Sequence, residues 1–240
     1  MSSHPELRLD WCSYEAAKYA VEHWHYSRRM PTPPHVILGA WEDSRFVGVV
    51  VFSRGAAPRS ASPFGISTIE IAELTRVALR DHQSPVSRIL RIAVIMLRQQ
   101  CPGLRLLISY ADPEHGHIGG IYQAAGWLFL GRRPGTSEYI APDGKRWHSR
   151  MISPTGRKKV YGRYRPVWKP EQCTLIRCAG KWKYALPLDD EMRARILPLA
   201  KPYPKRVRSE TSDTSAIHAE EGGAAPTLTL QFTGKEAQRG

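Results

Sequence analysis

Residues 69–81 read IEIAELTRVALRD, residues 82–100 read HQSPVSRILRIAVIMLRQQ, and residues 104–127 read LRLLISYADPEHGHIGGIYQAAGW. These three runs decide the architecture. Ile69, Ile71, Leu74, Val77 and Leu79 form an apolar run with β-branched members, the composition of a mostly buried strand. Ser84-Pro85 predicts an N-cap followed by proline at the first helical position. Val86, Ile89, Leu90, Ala93, Met96 and Leu97 then recur at intervals of three and four, which puts them on one helical face. Pro102-Gly103 stops the helix, and Leu104 to Ile108 is a second short apolar strand. Strand, helix and strand in this order make a β-α-β unit, with parallel strands joined by a right-handed crossover. Ligands of such units sit beyond the C-terminal strand ends, beside the helix N-terminus. That rule places Arg80 to Ser87 and Tyr110 to His117 around one cleft.

The flanks extend the pattern. Residues 13–24 (SYEAAKYAVEHW) offer Ser13 as an N-cap and set Tyr14, Ala17, Val21 and Trp24 on one helical face. The helix gives way at His25-Tyr26-Ser27 to Met30 to Pro34, a proline-rich run that cannot be helical. Val36–Trp41 and Phe46–Phe52 predict an antiparallel hairpin around Glu42-Asp43-Ser44, and the Ser, Ala, Pro and Gly rich residues 53–68 predict a loop. After the central unit, Gly120–Ala125 reads as a short helix and Trp127–Gly131 as a closing strand.

Charge divides the chain unevenly. The 240 residues carry a formal net charge of +13, a balance that suits a polyanionic partner. Residues 151–208 hold 15 Lys/Arg against 4 Asp/Glu, so most of the excess lies there. The expected organisation is a mixed-charge core over residues 1–150, a basic aromatic-rich extension over 151–208 that packs on the core and contacts DNA, and a disordered tail over 209–240. The cysteines at 12, 101, 173 and 178 follow no disulfide or zinc-finger spacing, which predicts free thiols in a reducing compartment. The absence of an 18-residue apolar run or a signal-peptide h-region predicts no membrane association and a cytoplasmic protein.

Helix, hairpin, loop, strand-helix-strand, helix and strand is the order of the GNAT acyltransferase fold. Within it, HYSRRMP (25–31), ELTRVALRD (73–81), SPVSRIL (84–90), SYADPEHGHIGGIYQAAGW (109–127) and GKWKYALPLD (180–189) resemble the Mom family of Mu-like phages. The resemblance implies an α/β (α+β) GNAT-like fold, a mixed central sheet flanked by helices, with the basic C-terminal extension added. It implies a transferase acting on the exocyclic amine of adenine in double-stranded DNA. The expected product is N6-carbamoylmethyladenine, which shields phage DNA from host restriction, and the expected location is the host cell cytoplasm. Two other readings fit the same scaffold: an acyl-CoA-dependent N-acetyltransferase of a protein or small amine, and a non-catalytic DNA-binding protein.

Four residues are the candidates for chemistry. His25 and Tyr26 place an imidazole and a phenol at a cleft edge, where they can act as base, metal ligand or stacking platform. The plain alternative is a helix-end histidine favouring the dipole and a packed tyrosine. Asp112 follows the second strand and can orient or deprotonate an amine, or make only an Asx turn before Pro113. Tyr122 is assigned leaving-group protonation by the GNAT resemblance, against a core-packing role. His115 and His117 are candidate ligands for a divalent metal.

The donor side departs from the fold's habit. GNAT enzymes carry an R/Q-x-x-G-x-G/A loop whose amides wrap the pyrophosphate of acyl-CoA, whereas Arg80 to Arg88 contain no glycine. A helix N-terminus still attracts anions, so Arg76, Ser84, Ser87 and Arg88 are the candidate donor-binding residues. The carbamoylmethyl group is a glycinamide unit. The donor therefore stays open between acyl-CoA and an activated glycine carrier such as glycyl-tRNA, which makes CoA or tRNA a possible second partner. For DNA, Arg28, Arg29, Lys158, Lys159, Arg163 and Arg165 can track phosphates while neighbouring Tyr161, Tyr164 and Trp168 can stack on bases.

Overall fold

The computed structural model of the protein describes residues 5–54, 60–160 and 162–205. In chain order the elements are β1 (Leu7–Trp11), α1 (Tyr14–Trp24), β2 (His35–Glu42), β3 (Arg45–Ser53), β4 (Ile71–Leu79), α2 (Val86–Gln100), β5 (Leu106–Ala111), α3 (Gly120–Ala124) and β6 (Leu128–Arg132). They continue with β7 (Thr136–Ile140), β8 (Arg146–His148), β9 (Arg157–Val160), β10 (Arg163–Pro166), β11 (Thr174–Cys178), β12 (Trp182–Pro187) and α4 (Asp190–Ile196). The expected mixed central sheet has seven strands in the order β1-β2-β3-β4-β5-β12-β6. Its one parallel pair is β4 with β5, the two strands of the central unit.

The apolar periodicity explains the layers. Ile89, Leu90, Ala93 and Leu97 of α2 are buried against Leu38, Val50, Leu74 and Leu107 on one face of the sheet. On the other face, Ala17, Ala20 and Val21 of α1 pack on Val49, Val51 and Ala78, while Met192 and Ile196 of α4 pack on Leu106, Ile108 and Ala185. The alternation of 49, 51 against 50, and of 106, 108 against 107, is the two-residue period of strands with helices on both sides. The GNAT-like order of helix, hairpin, strand-helix-strand, helix and strand is present.

Three features depart from the expectations. Ser84 is not the N-cap: α2 begins at Val86, its cap is Pro85, and the Ser84 amide is engaged elsewhere. Residues Leu7–Trp11, given no element, form an edge strand paired with β2. The largest departure concerns the boundary at residue 150. β12, from the basic segment, fills the place between β5 and β6, with Tyr184 opposite Ser109 and Ala185 opposite Ile108. The reason is visible in its alternation: Tyr184 is fully buried against α2's side of the sheet, while Lys183 points to the other face. The basic segment thus returns to complete the core. Between these points β7, β8 and β11 form a three-stranded sheet and β9 with β10 a hairpin. Tyr161 and the tail over 209–240 lie outside the described residues.

The helix α2 carries the largest share of the core on its face, which makes its buried leucines sensitive. Leu90→Ala removes a side chain with no solvent exposure and is expected to cost about 2–5 kcal/mol. In urea denaturation this appears as a lower midpoint with an unchanged slope.

Candidate active site

Parallel pairing of β4 and β5 lasts only from Ile71 to Glu73 against Leu106 to Ile108. Beyond it the strands part. β5 continues on β12 alone, and β4 continues on β3 alone, past an irregularity at Val51/Phe52. At the parting point the Ser109 hydroxyl donates to the Leu74 carbonyl at 2.8 Å, replacing the ladder bond that a straight sheet would make. The gap is a cavity of about 110 Å³, bounded by Thr75 and Val77 of β4, the end of β5, the C-terminus of α1 and Tyr122 of α3.

His25, Tyr26, Asp112, His117 and Tyr122 all line this cavity, so four sequence candidates for chemistry converge with one of the two histidines. Tyr26 is the hub. Its ring lies 4.3 Å from that of His25, 4.3 Å from His115 and 5.5 Å from His117. Among the described residues, no group of three or more His, Cys, Asp or Glu side chains gathers as a metal site requires.

The hydrogen bonds fix the state of His25. Its Nδ1 accepts the Ser27 backbone amide at 3.1 Å and faces the Ser27 hydroxyl at 2.8 Å. An acceptor Nδ1 leaves the proton of a neutral ring on Nε2. Burial, followed by the positive field of Arg76, His117, His115 and Lys181, brings the His25 pKa down to about 3. The ring is therefore neutral at physiological pH and is a hydrogen-bond donor toward the cleft.

Asp112 sits at the end of β5. Its Oδ1 accepts the Glu114 amide at 3.1 Å, the turn expected before a proline, and its Oδ2 pairs with Lys181 Nζ at 2.8 Å. Burial pushes the carboxyl up, but the Lys181 bond and charge outweigh that and hold it below the usual carboxylate range. Such a carboxylate is a poor base and a good anchor for a cation. Lys181 answers in kind: burial pulls it down, while Asp112 and the neighbouring Tyr26 hydroxyl raise it overall.

A second carboxylate, Glu73 on β4, lies near the cleft among the charges of Arg76 and Lys181, and no sequence motif marks it. Burial raises its pKa, and Arg76, Lys181, Arg133 and Lys183 offset the shift only in part. A glutamate in a strand reads as a surface residue; its chemistry comes from the splay beside it. Arg76 belongs to the same cleft. Its Nε donates to the Arg29 carbonyl at 2.9 Å and its charge faces Tyr26 and Glu73.

The remaining donor candidates lie at the turn into α2. Ser84 is buried, with its amide donating to Glu42 Oε1 at 2.6 Å. Arg88 is exposed and its amide is taken by the Pro85 carbonyl at 2.9 Å, while Ser87 is half-buried in the first helical turn. Tyr122 packs at 5.4 Å on Trp127 and 5.2 Å on Tyr184. Its helix starts at Gly119, where φ is +83° and a Cβ would come within 2.3 Å of the Tyr184 ring, so only glycine fits. Of the candidates for DNA, Arg28 and Arg29 are exposed beside the cleft, and Lys158, Lys159, Arg163 and Arg165 lie on the β9–β10 hairpin. There Lys158 faces Arg165 across the strands, and Tyr164 is 73% exposed. Like charges opposite each other favour a polyanion as countercharge.

The model of the Mom protein family matches residues 6–205. The methylcarbamoylase mom of Escherichia phage Mu is 27% identical over 210 residues, 83% of this chain and 84% of that protein. Solved structures with a similar course include a Bacillus subtilis acetyltransferase in complex with CoA, at 13% identity and a TM-score of 0.41 over 77% of this chain and 100% of that one. An N-acyl amino acid synthase from uncultured soil microbes gives 13% identity and a TM-score of 0.44 over 81% of this chain and 96% of that one.

The low value at His25 has a signed consequence. The unfolded chain takes up the proton near pH 6.5, whereas the folded one resists it until about 3. This contribution to stability is fully present above about pH 6.5 and is lost as pH falls toward 3. His25→Gln is expected to lose less stability than the wild type between those limits in denaturant titrations. In an NMR titration, His25 is expected to stay neutral throughout pH 5–8; a midpoint near 6.5 contradicts a shielded ring that accepts at Nδ1 and donates from Nε2.

Proposed function

The chain belongs to the Mom protein family, and from that premise we propose that it transfers a carbamoylmethyl group to the exocyclic amine of adenine in phage DNA. The observation that carries the reading is the cleft itself: ring faces at Tyr26, His115 and His117 at a cavity that opens where β4 and β5 part, with the half-buried Glu73 nearby on β4 facing Arg76. Adenine in a duplex is stacked and its amine paired, so the base leaves the stack before it reacts. The three rings suit a purine as stacking platform. Glu73 takes the proton of the attacking amine, because burial has made it the more basic carboxylate. His25 donates from Nε2 and orients the base. Lys181, fixed by Asp112, and Arg76 offset negative charge on the group in transit.

Tyr122, which lines the cavity, returns a proton to the departing carrier. In sum, one N–H bond of the amine is replaced by a bond to the methylene carbon of the incoming group. The bond between group and carrier breaks, and the released proton goes to the carrier through the enzyme. Arg28, Arg29 and the β9–β10 hairpin hold the backbone of double-stranded DNA while the base is out. Among the described residues no helix is long and apolar enough to cross a membrane.

Expression in a bacterium, followed by digestion of its DNA and weighing of the nucleosides, tests the reading. Deoxyadenosine carrying one carbamoylmethyl group in place of a hydrogen is expected. Unmodified DNA beside abundant folded protein counts against the proposal. Glu73→Gln is expected to lower modification about 100-fold or more with DNA binding retained. For the hairpin, the double variant Lys158→Gln, Arg165→Gln is expected to bind all sequences more weakly. The slope of log affinity against log salt should fall by about 1–2.

A further inference from the structure

At the head of α2 the anion is already built in. Gln83 and Ser84 donate their backbone amides to the two oxygens of a single carboxylate, that of Glu42, at 2.8 and 2.6 Å. Glu42 ends β2, 41 and 42 residues away in sequence, and is 2% exposed. Burial pushes its pKa up, but the two amides, the Ser84 hydroxyl and His82 outweigh burial and hold it below the usual range. The next residue, Pro85, has no amide hydrogen to offer.

The tip of the β2–β3 hairpin also grips the turn: Arg45 donates to the Asp81 carbonyl at 2.5 Å, and the Arg80 amide donates to the Val47 carbonyl at 2.9 Å. A diphosphate arriving here meets a fixed negative charge, amides already in use, and a covering hairpin in place of a glycine-lined loop.

We propose that Glu42 closes the head of α2 to diphosphate-bearing carriers, so that the group donor of this enzyme is held elsewhere and by other means. The proposal rests on reading the chain as a group transferase and narrows its donor class. CoA, whose anchoring group at such a turn is a pyrophosphate, does not fit the residues present. The carrier instead delivers its activated group through the open side of the cleft, past Tyr26 and His115, where Arg76 and Lys181 meet it. Glu42 acts here as a specificity residue by exclusion, a role that involves no contact with the reacting atoms.

The test is direct titration of the full chain with CoA, with inorganic pyrophosphate as competitor, followed by calorimetry. For the wild type, no saturation is expected below about 1 mM. Saturable CoA binding near 10 μM or tighter that pyrophosphate displaces overturns the proposal. Glu42→Ser frees the two amides and removes the charge, and is expected to bind pyrophosphate about 10-fold more tightly than the wild type. A folded Glu42→Ser chain with no such gain also overturns it. If that variant does not fold, the wild-type titration decides alone. Nucleoside masses from the same expressing cells read the functional proposal separately. Modified adenine together with absent CoA binding supports both readings, and unmodified adenine with absent binding removes only the functional one.

Discussion

The site exists because two parallel strands stop pairing after three residues. A parallel ladder that continued past Glu73 and Ile108 would have filled the space now lined by Thr75, Val77 and Tyr122. Parting is costly where it strands backbone groups, and the cost is met locally. Ser109 supplies a hydroxyl for the Leu74 carbonyl, and Thr75 sends its own to the Val51 carbonyl at 3.0 Å. On its other edge β5 is held by β12 along its whole length, from Leu106 to Ala111. Asp112, the next residue, emerges at the mouth with its orientation already set by the sheet. The catalytic geometry is thus a by-product of how the strands satisfy their hydrogen bonds.

Electrostatics follow from the same gap. The cleft gathers Arg76, Lys181, Lys183 and Arg133 around two carboxylates of opposite character. Asp112 has a lysine within hydrogen-bonding distance and is held ionised; Glu73 has no such bonded cation and burial pushes it the other way. Environments that drive two like groups apart separate an anchor from a base. Burial, and after it the positive field, keeps the imidazole of His25 neutral, and burial together with Arg133 brings the Lys183 amine down to about 8. A neutral imidazole, two carboxylates of opposite tendency and several cations thus share one region of the fold.

Local pattern made the scaffold legible. The apolar periods of α1, β4 and α2 are dictated by neighbours within a few residues, and the structure has those elements within a residue or two of their expected places. That His25, Tyr26, Asp112 and Tyr122 meet at one cavity is legible because each sits at the end of an element or on a face that the pattern itself locates. What escaped depends on long-range closure. Ser84 looks like a cap until Glu42 takes its amide from a distant strand. Glu73 looks like the polar side of a strand until the adjoining ladder ends. Lys181 looks like one of many basic residues until β12 enters the sheet and sets it against Asp112. In each case the deciding partner lies far away in sequence, where no spacing rule reaches.

The path of the basic segment joins the β9–β10 hairpin to the cleft. Glu114, two residues after Asp112, pairs with Arg146 of β8 at 3.0 Å and accepts the Ala179 amide at 2.8 Å. Arg146 also binds Glu138 of β7 and donates to the Cys178 sulfur at 3.0 Å. The accessory sheet therefore holds the loop that carries Asp112, His115 and His117. Where β11 passes into β12, Gly180 runs so close to the Arg133 carbonyl that a Cβ would lie 1.6 Å from it, which leaves the crossing no room for a side chain. The β9–β10 hairpin is spliced into this same excursion between β8 and β11. A strand order that sends the chain out through the basic hairpin and back into the sheet beside Asp112 ties the position of that hairpin to that of the loop facing Tyr26. A basic extension appended after a finished core would have no such lever, and that is the physical sense of placing β12 between β5 and β6.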